Sequence, residues 1–459
     1  MKQLTESVNI RFCCYLILWG ILDLLCASFC EIHADEAYYR LYGQYLDWGY
    51  YDHPPMVGLM AWISSHCVHG TSMILKNLSV RLTTVLLHMA TVYLTWKAIA
   101  IPNRRDKNAI NAFFLIAGAM VMFCAYGFLT TPDAPLLFFA SLFYYAYRRY
   151  LESPSWKDAL LLAISIAGMC YSKYMAILVV GFVVLSNVRL LKDVRLWCAV
   201  VLDIVLYFPH LYWQYSNNYP SLTYHIVDRA TSYNWLYTLE YIPNQLVVFN
   251  PLSFCLMLWL SVRLAKSQSV FSRSRAWSIL GFQIFFILAS LRGHVEPHWT
   301  MVSSIPAIIL LTEEWIHSAE GKQNLFSKRW VRQTMIGMFA LVLVARIVFM
   351  ANVLPSRTGL ANKYPYDAAM HKVANGLPVV LDGSFQRPSL YRFYFDDDAY
   401  LVRQPNDRYT QYDLLHLEES LLGKKVCIMR HDDRNETVVE DGFSFEQRIV
   451  DKLQKEDLQ

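Results

Sequence analysis

Apolar runs long enough to cross a bilayer recur along this chain and constrain its fold more than any other feature. They lie near residues 10–30, 80–101, 108–129, 133–148, 158–173, 174–190, 195–213, 246–265, 275–291, 299–313 and 334–352. A hydrocarbon core about 30 Å thick takes ~20 apolar residues in an α-helix, because a helix satisfies its own backbone hydrogen bonds where no water can. The runs therefore predict a polytopic α-helical membrane protein with about eleven transmembrane helices, range roughly 10–13. Composition agrees, with 55% hydrophobic and only 17% charged residues, against ~25% charged in a typical soluble domain.

The charges that remain are unevenly placed. Of the 78 Asp, Glu, Lys and Arg residues, 32 fall after Asn352. This break predicts a membrane domain over 1–352 and a small soluble α/β domain over 353–459. Within the latter, Leu377–Leu381 and Lys425–Met429 read as strands, and Asp413–Leu422 and Phe445–Leu453 as helical pieces. In the membrane part, Lys97/Arg104/Arg105/Lys107, Arg148/Arg149/Lys157, Arg189/Lys192/Arg195, Arg263/Lys266/Arg273/Arg275 and Lys322/Lys328/Arg329/Arg332 alternate with acidic and aromatic connectors. By the positive-inside rule the basic set is cytoplasmic. The N-terminus is then cytoplasmic, the first run is a retained span rather than a signal peptide, and an odd span count sends the C-terminal domain outside. A plasma (inner) membrane location is expected.

The other side collects the chemistry. His33-Ala34-Asp35-Glu36-Ala37-Tyr38-Tyr39 follows the first span, and Gly49-Tyr50-Tyr51-Asp52-His53-Pro54-Pro55 comes soon after. Met56–Ile63, too brief to span, reads as an interfacial helix. Carboxylates beside a bilayer cost free energy unless they are used. Burial against Tyr38 and Tyr39, together with a like charge next door, would raise the pKa of one of Asp35 and Glu36 towards that of a general base. A solvated acidic pair at a helix N-terminus is the plain alternative. Asp133, in Thr131-Pro132-Asp133-Ala134-Pro135, opens another span; it is either an N-cap or a second functional carboxylate. Asp52 and His53 sit on a Pro-Pro turn and could hold a sugar hydroxyl or a phosphate, or simply make the turn. Lys173 interrupts an apolar stretch, where an ammonium must snorkel or meet an anion such as a lipid phosphate. His294, Glu296 and His298 have metal-ligand chemistry, but Pro297 breaks the alternating spacing, so substrate contacts are preferred, and a divalent metal stays open without support from the sequence. The ten cysteines show no paired CxxC spacing. Nor does any basic, aromatic-interleaved surface point to nucleic acid.

Five segments together resemble one bacterial family: His33–Tyr39, Gly49–Pro55, Thr131-Pro132-Asp133-Ala134-Pro135-Leu136, Ser172-Lys173-Tyr174 and Val295-Glu296-Pro297-His298-Trp299. They occur in the order found in the dolichyl-phosphate-mannose–protein mannosyltransferase-like glycosyltransferases, which include relatives of the lipid A aminoarabinose transferase. The likeness covers roughly the first 300 residues and is loose in the C-terminal domain. It implies a GT-C fold and an inverting transfer from a polyprenyl-phosphate-linked sugar to a lipid, glycan or protein acceptor outside the membrane. It implies Asp35 as the catalytic base, with Glu36 beside it and Asp133 shaping the site. Tyr38, Asp52, His53, Lys173, Glu296 and His298 would then contact donor or substrate. Relatives often carry Asn where this chain has His298. A transporter or flippase of a lipid-linked or soluble substrate is the alternative class; it would place ionisable groups near the midplane of repeated, interrupted helices, and no internal repeat is visible here.

Overall fold

The computed structural model describes residues 9–99, 106–225, 233–319, 325–353, 364–396, 399–402, 408–431 and 445–450. It is mostly helical, and its residues form two compact units: 1–25 with 84–346, and 26–83 with 347–459. Arg104, Arg105 and Lys322 of the basic connectors lie outside the described residues.

The first unit is a helical bundle. Its long elements are Asp133–Glu152, Trp156–Ser172, Val194–Ser216, Val270–Ala289 and Ser304–Ala319, around a core that includes Phe113, Phe123, Tyr144, Met257, Ile279 and Ile308. Among the described residues, four helices are long and apolar enough to cross a membrane: Ile10–Phe29, Met73–Lys97, Val194–Ser216 and Arg329–Met350. Trp235–Phe249 and Pro251–Leu264 make a fifth if counted as one span bent by 102°. The bend falls at Asn250, which takes φ 64° and ψ 152°, a sparsely populated backbone state, and caps the second helix by accepting from Ser253 N–H. Other apolar runs are broken too. The 108–129 run divides at Met120 into Lys107–Ala119 and Val121–Ala125, and the 299–313 run begins as a 3₁₀ turn, Pro297–Ser303. Lys173 separates two helices, Trp156–Ser172 and Ala176–Ser186.

The second unit joins the first-loop segment to the C-terminal residues. A four-stranded sheet has the order β2-β1-β3-β4, with β1 Val379–Asp382, β2 Ala399–Val402, β3 Val426–His431 and β4 Phe445–Val450. β1 is parallel to β2 and β3, whereas β3 and β4 are antiparallel. Alternation along β1 divides the core as a pleated strand requires: Val379 and Leu381 pack with Met370 and Tyr391, while Val380 packs with Leu421 and Ile428. The predicted strands at 377–381 and 425–429 correspond to β1 and β3. The helix predicted over Phe445–Leu453 is wrong: residues 445–450 form β4, and 451–453 lie outside the described residues. Pairing with the edge of β3 outweighs local preference there.

Ala34–Gln44 and Met56–Cys67 are helices of 11 and 12 residues that cross closely in this unit. A Cβ on Gly43 would lie 2.9 Å from the Trp62 amide nitrogen, so only glycine fits the crossing.

Candidate active site

The first-loop helix begins with a capping box. His33 is its N-cap and accepts from the Asp35 amide, and the Glu36 carboxylate accepts from the His33 amide at 3.1 Å. Both acidic residues therefore stand in the first helical turn, where the dipole favours negative charge. Beyond that they diverge. Glu36 is fully buried and clamped by Arg81, whose Nε and Nη2 donate to the two carboxylate oxygens at 2.8 and 2.6 Å. Arg81 also reaches the carbonyls of Ala27, Cys30 and Glu31, tying the end of the first span to this helix. Asp35 remains half-buried, and Gln386 Nε2 donates to its Oδ1 at 3.2 Å.

Asp52 is buried beside these elements. The Tyr42 hydroxyl donates to one carboxylate oxygen and Arg408 Nη2 to the other. Burial opposes ionisation, but His53, Arg408 and the Tyr42 hydrogen bond outweigh it and hold Asp52 below the usual carboxylate range. His53 Nε2 lies 3.2 Å from the Tyr39 hydroxyl. Tyr38 is a core residue; its hydroxyl accepts from the Gln411 amide at 2.7 Å, and burial pushes its pKa well up. C-terminal residues thus engage the sequence-predicted cluster at Asp35, Tyr38 and Asp52, through Gln386, Gln411 and Arg408.

In the helical bundle, Asp133 opens its helix without capping it. Its carboxylate instead receives Lys173 Nζ at 2.9 and 2.8 Å, with both side chains almost fully buried. His298 Nε2 lies 3.7 Å from Asp133 Oδ2, and its ring meets Tyr126 edge-on. Three residues predicted from separate motifs are therefore brought together. Glu296 instead faces His294, 3.5 Å away, at the approach to the same 3₁₀ turn. No group of three or more metal-ligating side chains occurs among the described residues.

Sequence reading missed a second buried cluster in the bundle. Asp23 accepts from Arg346 Nη1 at 2.8 Å and contacts His88 Nδ1 at 2.7 Å. Arg346 also donates to the Cys124 carbonyl. Treating 10–30 as plain hydrocarbon hid Asp23; an ionisable residue inside each of three apolar runs was the available signal. Arg81 was overlooked for the same reason.

Residues 52–213 match the family model of dolichyl-phosphate-mannose-protein mannosyltransferase, a span that contains Asp52, His53, Asp133 and Lys173. Over that span the chain is similar to this mannosyltransferase family. Lipid A galacturonosyltransferase RgtD of Rhizobium johnstonii is 24% identical to it over 307 residues, 64% of this chain and 62% of that relative. The chain thus spans less than two thirds of the relative's length. Crystal structures of ArnT from Cupriavidus metallidurans share its fold. The apo state aligns with TM-score 0.61 at 14% identity over 92% of this chain and 93% of that one. The undecaprenyl phosphate-bound state aligns with TM-score 0.60 at 15% identity over 93% and 94%. The chain shares the fold of these ArnT structures, and four helices among its described residues are long and apolar enough to cross a membrane.

Proposed function

We propose that the protein is an inverting glycosyltransferase that moves a sugar from a polyprenyl-phosphate donor to an acceptor hydroxyl or amine on the outer side of the plasma membrane. The observation that carries this reading is the buried Asp133–Lys173 pair with His298 beside it. Ion pairs withdrawn from water in a helical bundle stabilise little by themselves, and intramembrane charges commonly mark function. The bond that forms joins the acceptor atom to the anomeric carbon; the bond that breaks joins that carbon to the phosphate oxygen. The departing phosphate keeps the electron pair and needs positive charge more than a proton, a role that suits Lys173 and His298. The acceptor must lose a proton, and Asp35 is assigned as its base. Glu36 is better suited to holding the helix, since its charge is committed to Arg81. Asp52 and His53 are assigned to the substrate side of the first loop, and Glu296 to the rim near His298.

Purified protein incubated with a polyprenyl-phosphate sugar and candidate acceptors tests the reading. Release of polyprenyl phosphate coupled to acceptor glycosylation is expected. Movement of intact donor across vesicle membranes with no release would favour a flippase instead.

A further inference from the structure

At its other end, the helix that starts with Asp133 contributes to a separate cavity. Asp133 and Arg148 are 15 residues apart on it, about 22 Å at 1.5 Å per residue. The cavity, of about 480 Å³, is lined by Arg148 and Glu152 from this helix, by Ser269–Ser272 and Arg275 from the start of the Val270–Ala289 helix, and by Glu313 and His317. Its volume is that of a small-ligand site.

Its polar groups are only partly matched. Arg275 is 2% exposed. Its Nη2 pairs with Glu313 at 2.8 Å and reaches Ser272 Oγ at 3.1 Å, and its Nε reaches the Phe271 carbonyl at 3.3 Å. Its Nη1 has no hydrogen-bond partner although it is buried. Arg148 also leans on Glu313, at 3.5 Å, while its Nε holds Glu152 at 2.9 Å. Both guanidinium groups lie over the Phe271 ring, with centroid distances of 5.5 and 4.5 Å. The 20-residue helix Val270–Ala289 presents its N-terminus here, capped by Ser269, and the first-turn amides of a helix lack intrahelical acceptors.

We infer that this cavity binds a phosphate-class anion through Arg275, Arg148 and the N-terminus of the 270–289 helix. Glu313 is the internal carboxylate that competes with a bound anion for the two arginines, and the unpartnered Nη1 of Arg275 is the donor an anion completes. Arg148 and Arg275 belong to the basic connectors of the sequence, so the ligand is either an anionic lipid headgroup at that membrane face or a soluble phosphate compound.

The test uses the full-length protein in two arms: inorganic phosphate titrated in detergent, and phosphatidylglycerol titrated into neutral-lipid nanodiscs. Binding is read by thermal unfolding and native mass spectrometry. Saturable binding in either arm, weakened about tenfold or more by Arg148→Gln, is expected; the responding arm identifies the source. Arg148 is partly exposed, which makes this variant safer to fold than one at Arg275. Glu313→Gln removes the competing carboxylate and should bind at least as tightly, a result that misfolding cannot imitate. No saturable component sensitive to Arg148→Gln in either arm, or weakened binding in Glu313→Gln, overturns the inference. A signal that persists unchanged in Arg148→Gln belongs to another site and counts against it.

Discussion

Arg81 grips both carboxylate oxygens of Glu36, and neither side chain is exposed to solvent. Two adjacent acidic residues are thereby given different work. Glu36 fastens the first-loop helix to the end of the preceding span, and Asp35 keeps its carboxylate half-open.

Removing the Glu36 charge strands a buried guanidinium. Glu36→Gln should destabilise the protein by about 3–5 kcal/mol, seen as a lower unfolding temperature in detergent, while Asp35→Asn should leave that temperature nearly unchanged. Equal losses in the two variants would remove the distinction between them.

For catalysis the order reverses. Asp35→Asn should fold and bind donor but transfer sugar about two to four orders of magnitude more slowly. Near-normal turnover would move the base elsewhere, with Asp133 the next candidate.

The Lys173 ammonium is held by Asp133 as well as being assigned to the donor phosphate. Lys173→Met should weaken donor binding and also leave Asp133 buried without its partner, whereas Lys173→Arg should keep part of both. The double variant Lys173→Met/Asp133→Asn should recover stability relative to Lys173→Met alone, with a coupling of about 0.5–3 kcal/mol. Strict additivity in a thermal-unfolding cycle would show that the pair is not coupled.

Asp52 links charge to pH. Its folded-state pKa is held below the ordinary value of 3.8, so the unfolded chain binds the proton more readily. The stabilisation is fully present above the ordinary aspartate pKa and is lost as pH falls through the lower folded value. In unfolding temperatures measured from pH 6 downwards, wild type should lose stability more steeply below about pH 4 than Asp52→Asn. Parallel curves would show that Arg408 and His53 do not hold the charge.

The basic connectors predict orientation. Alkaline phosphatase fused after Gln459 should be active and a fusion at Arg105 inactive; the reverse pattern would place the Asp35 loop in the cytoplasm.

Hydrophobic run length by itself pointed to a mostly helical chain with membrane-length spans, and four such helices, or five with the bent pair, stand among the described residues. The cost of carboxylates near a bilayer, joined to motif order, singled out Asp35, Asp133 and Lys173, because burial cost is a property of residue type and local context. Which of these touch was decided in three dimensions. Asp133, Lys173 and His298 are far apart in sequence and meet only when three segments of the bundle pack. Arg81 and Arg346 went unread within apolar runs, and their carboxylates, Glu36 and Asp23, come from other helices. The fourth strand and the engagement of the first loop by Gln386, Arg408 and Gln411 were likewise invisible locally, since strand pairing and buried charge compensation depend on neighbours that only the folded chain supplies.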